Sequence, residues 1–143
     1  MYVAILEDDD RRRQRMEELL PKVLPGYAAV FFDDAPGMVA WLEKHLGEVA
    51  LLCLDHDLGP DRREGEAVFD PGTGRDVVDA IATHPPCCPV LIHTTNSYAA
   101  PGMVAALESE GWRVERVVPF SDLEWLDAVW VDAIREQMRP DSL

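Results

Sequence analysis

Three short stretches concentrate the side chains that could do chemistry: Glu7-Asp8-Asp9, Asp55-His56-Asp57 and His93-Thr94-Thr95-Asn96. Carboxylates gathered in one place repel one another and raise each other's pKa, so they call for a positive partner. A hard divalent cation, Mg²⁺ or Mn²⁺, held by Glu7, Asp8 and Asp55, is the natural candidate. Helix capping explains Asp9 or Asp10 taken alone, but not Glu7, Asp8, Asp55 and Asp57 together. The two histidines add proton transfer near neutral pH. Opening a cyclic phosphodiester needs a base that activates water and an acid that protonates the leaving oxygen, a division that suits His56 and His93 with Asp57 beside them. Asn96 could donate to a phosphoryl oxygen, and Thr94 stands at the same place. Arg62, Arg63 and Arg75 flank a long polar stretch and could clamp a phosphate. Plainer roles compete with these: His93 as a strand-end histidine bonded to backbone, His56 as an orienter of the Asp55 loop, and the arginines as solvated charge.

The elements that must position these clusters follow from hydrophobic periodicity. Tyr2 to Leu6 reads as a buried strand, and Asp10 as the cap of a helix lined by Met16, Leu19, Leu20 and Val23. Ala28 to Phe32 is a second strand; Met38, Trp41, Leu42 and His45 line the helix after it. Val49 to Leu54 is the most apolar strand. From Asp55 to about Thr73 the chain is polar and broken by glycine and proline, which predicts a structureless active-site loop. Gly74 to Thr83 resumes as a helix, Pro89 to His93 as a strand, Ala100 to Gly111 as a helix and Val114 to Val118 as a strand. Ser121-Asp122-Leu123-Glu124 has the form of a capping box for a last helix lined by Leu126, Val129, Trp130 and Ala133. Five strand–helix repeats predict an α/β fold, a doubly wound parallel sheet in the order 2-1-3-4-5 between two helical layers. Ligands in such sheets bind beyond the carboxyl ends of the strands, where all three clusters fall.

The 143 residues suffice for one domain, read as spanning 1–143, with a sizeable core. Thirteen basic residues against 27 acidic ones give a net charge of −14, which disfavours bulk binding to nucleic acid or to anionic membranes. A local seat for one phosphate, on a small molecule or an RNA end, remains compatible with that charge. No apolar run reaches the ~20 residues of a membrane helix, and the opening apolar stretch is too short for a secretory signal, so a cytoplasmic protein is expected. Three cysteines, two of them neighbours, form no zinc-binding spacing and are expected as free thiols. Trp112, Trp125 and Trp130 permit a homodimer through the last helices, or belong to the core.

Nearly the whole chain resembles the receiver domain of response regulators. Glu7-Asp8 matches the receiver's acidic pair, Asp55 its phosphate-accepting aspartate, Thr94 its strand-four Thr or Ser, and Pro119 the proline that follows its lysine. The residue before that proline is Val118, and neither Lys22 nor Lys44 falls near this end of the fold. Arg116 shares the strand but differs from lysine in reach and geometry. Asp-His-Asp-Leu at 55–58 with His-x-x-Asn at 93–96 is similar to the cyclic-phosphate-processing receiver family. That resemblance implies a receiver fold turned to cyclic phosphate ends of nucleotides or RNA, with a divalent metal. A signalling receiver phosphorylated on Asp55 and an inactive receiver used as an interaction module are the alternatives. A haloacid-dehalogenase-like phosphatase is disfavoured, because Asp55-x-Asp57 is not on the first strand and no later lysine and acidic pair follow.

Overall fold

The computed structural model of the chain describes residues 1–65 and 67–140, with Arg63 described in its backbone only. Five parallel strands form the sheet: β1 (Tyr2–Leu6), β2 (Ala28–Phe32), β3 (Val49–Leu54), β6 (Val90–His93) and β7 (Val114–Val117), in the order β2-β1-β3-β6-β7. Counted along the main sheet alone, this is the 2-1-3-4-5 order expected. The three central strands, β1, β3 and β6, are apolar because both their faces are covered. Ala4, Leu6, Leu52, Leu54, Val90 and Ile92 face one helical layer, with Met38, Leu42, Val77, Ile81, Met103 and Leu107. Val3, Ile5, Leu51, Cys53 and Leu91 face the other, with Met16, Leu20, Trp125, Trp130 and Ile134. Alternate residues of each strand thus feed two cores, as a period of two requires.

The helices are α1 (Asp10–Val23), α2 (Ala35–His45), α3 (Gly74–Ile81), α4 (Ala99–Glu108) and α5 (Val131–Gln137). Asp9, not Asp10, caps α1: its side chain accepts the Arg12 amide at 2.9 Å. Asp34 caps α2 in the same way, accepting from Gly37 at 2.7 Å.

Three local expectations are corrected. The segment from Asp55 to Thr73 is not structureless: it carries an antiparallel hairpin, β4 (Arg62–Glu64) with β5 (Ala67–Phe69), closed at its base by a bridge between Asp57 and Thr73. The left-handed glycines Gly59, Gly65 and Gly72 turn the chain into, around and out of it. Ser121 adopts φ 59° rather than the extended backbone of an N-cap, so the expected capping box is replaced by a turn. A π-helical turn, Leu126–Trp130, then precedes α5. One extra residue in that turn rotates the face, which leaves Val129 exposed while Trp125, Leu126 and Trp130 are buried. Trp112, Trp125 and Trp130 are core residues, so the dimer that was to use them has no exposed tryptophan to use. Among the described residues, no helix is long and apolar enough to cross a membrane. Cys53, Cys87 and Cys88 are free thiols, and burial pushes the Cys53 pKa up.

Candidate functional site

Sheet register brings the three clusters together. Leu6 pairs with Leu54 across β1 and β3, and Leu54 with Ile92 across β3 and β6, so Glu7, Asp55 and His93 emerge side by side. The Asp55 amide donates to the Leu6 carbonyl at 3.1 Å and the Glu7 amide to that of Phe32 at 2.9 Å. Behind them α3 starts in near contact with β3: the Gly74 amide donates to the His56 carbonyl at 2.9 Å. A Cβ on Gly74 would lie 1.9 Å from the Asp55 carbonyl oxygen, so only glycine fits.

Glu7, Asp55 and His93 are all buried. His93 Nε2 lies 3.2 Å from Glu7 Oε1, and one oxygen or nitrogen from each of the three residues falls within 4.8 Å of the others. Arg12 Nη1 stands 3.5 Å from Glu7 and 3.8 Å from Asp55. Its guanidinium lies 5.4 Å over the Trp125 ring, which also stacks on His93. Burial opposes ionisation of Glu7. The His93 hydrogen bond and charge, the Asp9 amide and Arg12 outweigh it and hold the carboxyl below its usual 4.5. At Asp55 burial wins: helped by the Glu7 charge, and against His93, the His56 amide and Arg12, it raises the pKa to about 6. Asp8 is raised too, by burial and by the charge of Glu7. Asp8 stands at the rim, 4.0 Å from Arg62, outside the tight cluster.

Beside this buried cluster lies a more open one. His56 Nδ1 is 3.0 Å from Asp57 Oδ1, and Asn96 Nδ2 is 3.2 Å from Asp57 Oδ2 and 3.3 Å from His56 Nδ1. Asn96 Oδ1 accepts the Tyr98 and Ala99 amides at the start of α4, at 3.1 and 2.9 Å. That fixes the amide, so Nδ2 is a donor and Asp57 is its acceptor. His56 Nδ1 faces both: Asp57 accepts from an Nδ1–H, whereas Asn96 Nδ2–H pairs only with a bare Nδ1. With the proton on Nδ1 toward the nearer, anionic Asp57, Nε2 carries the lone pair, and Asn96 holds Asp57 in place.

The remaining candidates make local contacts. Thr94 is buried, and its Oγ1 accepts the Asn96 amide at 3.1 Å. Arg62 donates to the Leu58 carbonyl at 2.9 Å and pairs with Asp33 at 3.3 Å, pinning the hairpin down. Arg75 donates to Asp79 one turn along α3, at 2.8 Å, and the Arg63 side chain lies outside the described residues. Arg116 donates to the Thr94 carbonyl at 3.1 Å. Val118, half exposed, occupies the position before Pro119, while Lys22 and Lys44 sit in the last turns of α1 and α2. Arg12 was missed. Its signal was a run of three arginines in the first turn of a helix, where the macrodipole disfavours cations.

Two buried carboxylates, one held ionised, suit Mg²⁺ or Mn²⁺. His93 suits less well as a ligand, because a metal-bound imidazole needs an acceptor for its other N–H and His93 Nδ1 is buried with no partner. His93 is better placed donating from Nε2 to Glu7.

A doubly wound sheet of this order, with acids beyond β1 and β3 and a threonine beyond β6, defines a receiver domain. Solved structures agree on the fold. A phosphorylated cyanobacterial phytochrome response regulator, RcpA, superposes with a TM-score of 0.68 at 17% identity, covering 94% of this chain and 91% of its own. A LuxR-family DNA-binding response regulator from Staphylococcus aureus gives 0.65 at 19%, covering 96% and 98%. The Mn²⁺-bound form of response regulator Rcp1 gives 0.63 at 16%, covering 92% and 94%. No curated protein matches the chain in sequence. Residues 3–109 match the family model of the cyclic-phosphate processing receiver domain, and the chain belongs to that family.

Proposed function

We propose that this receiver domain hydrolyses cyclic phosphodiesters, with the cyclic phosphate ends of nucleotides or RNA as substrates. The observation that carries the reading is the Asp57–His56 pair braced by Asn96 beside Asp55. A signalling receiver has no use for an imidazole paired with a carboxylate beside its acceptor aspartate. The lysine position is also filled by Val118.

His56 Nε2 takes a proton from water as that oxygen attacks phosphorus, and Asp57 stabilises the imidazolium that forms. The bond from phosphorus to one ring oxygen breaks, that oxygen takes a proton from solvent, and the His56 imidazolium returns its proton to solvent, to which the adjoining Asp57 is 65% exposed. The product is a phosphomonoester. Glu7 and Asp55 would hold the divalent ion, which supplies positive charge for the phosphoryl oxygens. His93 keeps Glu7 ionised and oriented. It is too buried to reach a leaving group, so it acts here as a positioning residue.

A second reading, phosphorylation of Asp55 as in a signalling receiver, draws support from its place at the end of β3. Two incubations separate them. With 2′,3′-cyclic nucleotides or cyclic-phosphate-ended RNA and Mg²⁺, monoester should accumulate over many turnovers. With acetyl phosphate and Mg²⁺, no stable phospho-Asp55 should build up. The opposite pair of results overturns the hydrolytic reading, and silence in both assays leaves the interaction module.

A further inference from the structure

We infer that Arg12 is the residue that binds the phosphoryl group, an assignment that rests on the hydrolytic reading and adds to it the group that holds the substrate. A phosphate approaching Glu7, Asp55 and Asp57 meets like charge, so a fixed cation of the chain must face it. The other arginines described around the site are each anchored by a hydrogen bond: Arg62 to the Leu58 carbonyl, Arg75 through Nε to Asp79, and Arg116 through Nη2 to the Thr94 carbonyl, with its Nε buried and unpartnered. Arg12 differs from all three. Its side chain makes no hydrogen bond, and its ion pairs, 3.5 and 3.8 Å long, exceed the ~2.7–2.9 Å of a charge-assisted bond. Its side chain is 25% exposed, so the guanidinium stands beside the cluster partly open to solvent and without a close acceptor.

Donors so placed are open to an incoming ligand, and the planar guanidinium fork matches two oxygens of a phosphate. The fork is held ready. Arg12 leaves the first turn of α1, whose cap at Asp9 fixes the backbone, and the Trp125 ring supports its plane. Arg11, one residue earlier, shows the contrast: it is spent on Asp122, with contacts of 3.1 and 2.5 Å. The competing role for Arg12 is neutralisation of Glu7 and Asp55 alone.

Calorimetric titration of inorganic phosphate into the full chain, with saturating Mg²⁺ at pH 7.5, separates the two roles. The native chain should bind phosphate, Arg12→Gln should lose about tenfold or more in affinity, and Arg12→Lys should fall between them. Arg116→Gln should bind as the native chain does. Mg²⁺ affinity, titrated separately, should not weaken in Arg12→Gln, since removing a cation does not repel another. The assignment is overturned by no phosphate binding to the native chain, by a folded Arg12→Gln that binds phosphate as well as native, or by an equal loss in Arg116→Gln. Should Arg12→Gln fail to fold, native-like affinity in Arg12→Lys overturns it. Phosphate held through Arg12 without turnover of cyclic nucleotides would sustain this inference and defeat the hydrolytic reading. Turnover with unchanged phosphate affinity and KM in Arg12→Gln would do the reverse.

Discussion

Burial that raises the Asp55 carboxyl from 3.8 to about 6 makes that residue a cost to the ion-free fold at neutral pH. The stability this group lends is complete below about pH 4 and is lost as pH rises through about 6, an effect on the order of 1–3 kcal/mol. Asp55→Asn should therefore melt higher than the native chain at pH 7.5 in EDTA, and the two should converge near pH 4. Mg²⁺ should raise the native melting temperature above pH 6 and leave that of the variant unchanged. A variant that melts lower in EDTA at pH 7.5, or that still responds to Mg²⁺, contradicts the site as described. Glu7, Asp55, His56, Asp57, His93 and Asn96 were legible in the sequence because their types cluster at strand ends. What each one touches was not. His93 reads in the sequence as one half of an acid–base pair, and only packing shows it turned inward against Glu7. Arg12 gave no signal of this kind, because its partners lie five residues before it and forty-three after.

Elements place these residues more rigidly than periodicity alone implies. The start of α3 is pressed against β3 at Gly74, where a Cβ would meet backbone that cannot turn aside. Gly74→Ala should cost about 1–3 kcal/mol or more, and it should also weaken Mg²⁺ binding by displacing Asp55. Gly47→Ala, with nothing within 4 Å, should stay within about 0.5 kcal/mol of native. Chemical denaturation of both variants checks this, and equal midpoints would refute the close contact. The strands and helices of the main sheet were readable because each has an apolar face of regular period. Two elements escaped that logic. The hairpin β4–β5 is short, half exposed and rich in charge, so it lacks an alternating apolar face. The π-turn at Leu126–Trp130 shifts the helical phase by one residue, which put Val129 on the wrong side of a regular wheel.

At the scale of the whole molecule, a net charge of −14 sets what a partner can gain from contact outside the site. An RNA backbone is repelled over most of the surface, so recognition should stop at the terminal cyclic phosphate and its sugar. KM for cyclic-phosphate-ended oligonucleotides should accordingly not fall as they lengthen from one residue to ten, even at low salt. A KM that drops steeply with length would reveal a nucleic-acid track that this surface charge does not foresee. The central functional proposal is that His56, beside Asp57 and Asn96, activates water against a cyclic phosphodiester. Phosphorus-31 NMR of a 2′,3′-cyclic nucleotide incubated with the full chain and Mg²⁺ tests it directly, with His56→Ala alongside. The account predicts a growing monoester resonance in the native sample and a rate lower by about 10²–10⁴ in the variant. A cyclic resonance that persists unchanged with the native chain, or a folded His56→Ala that works as fast, would contradict it.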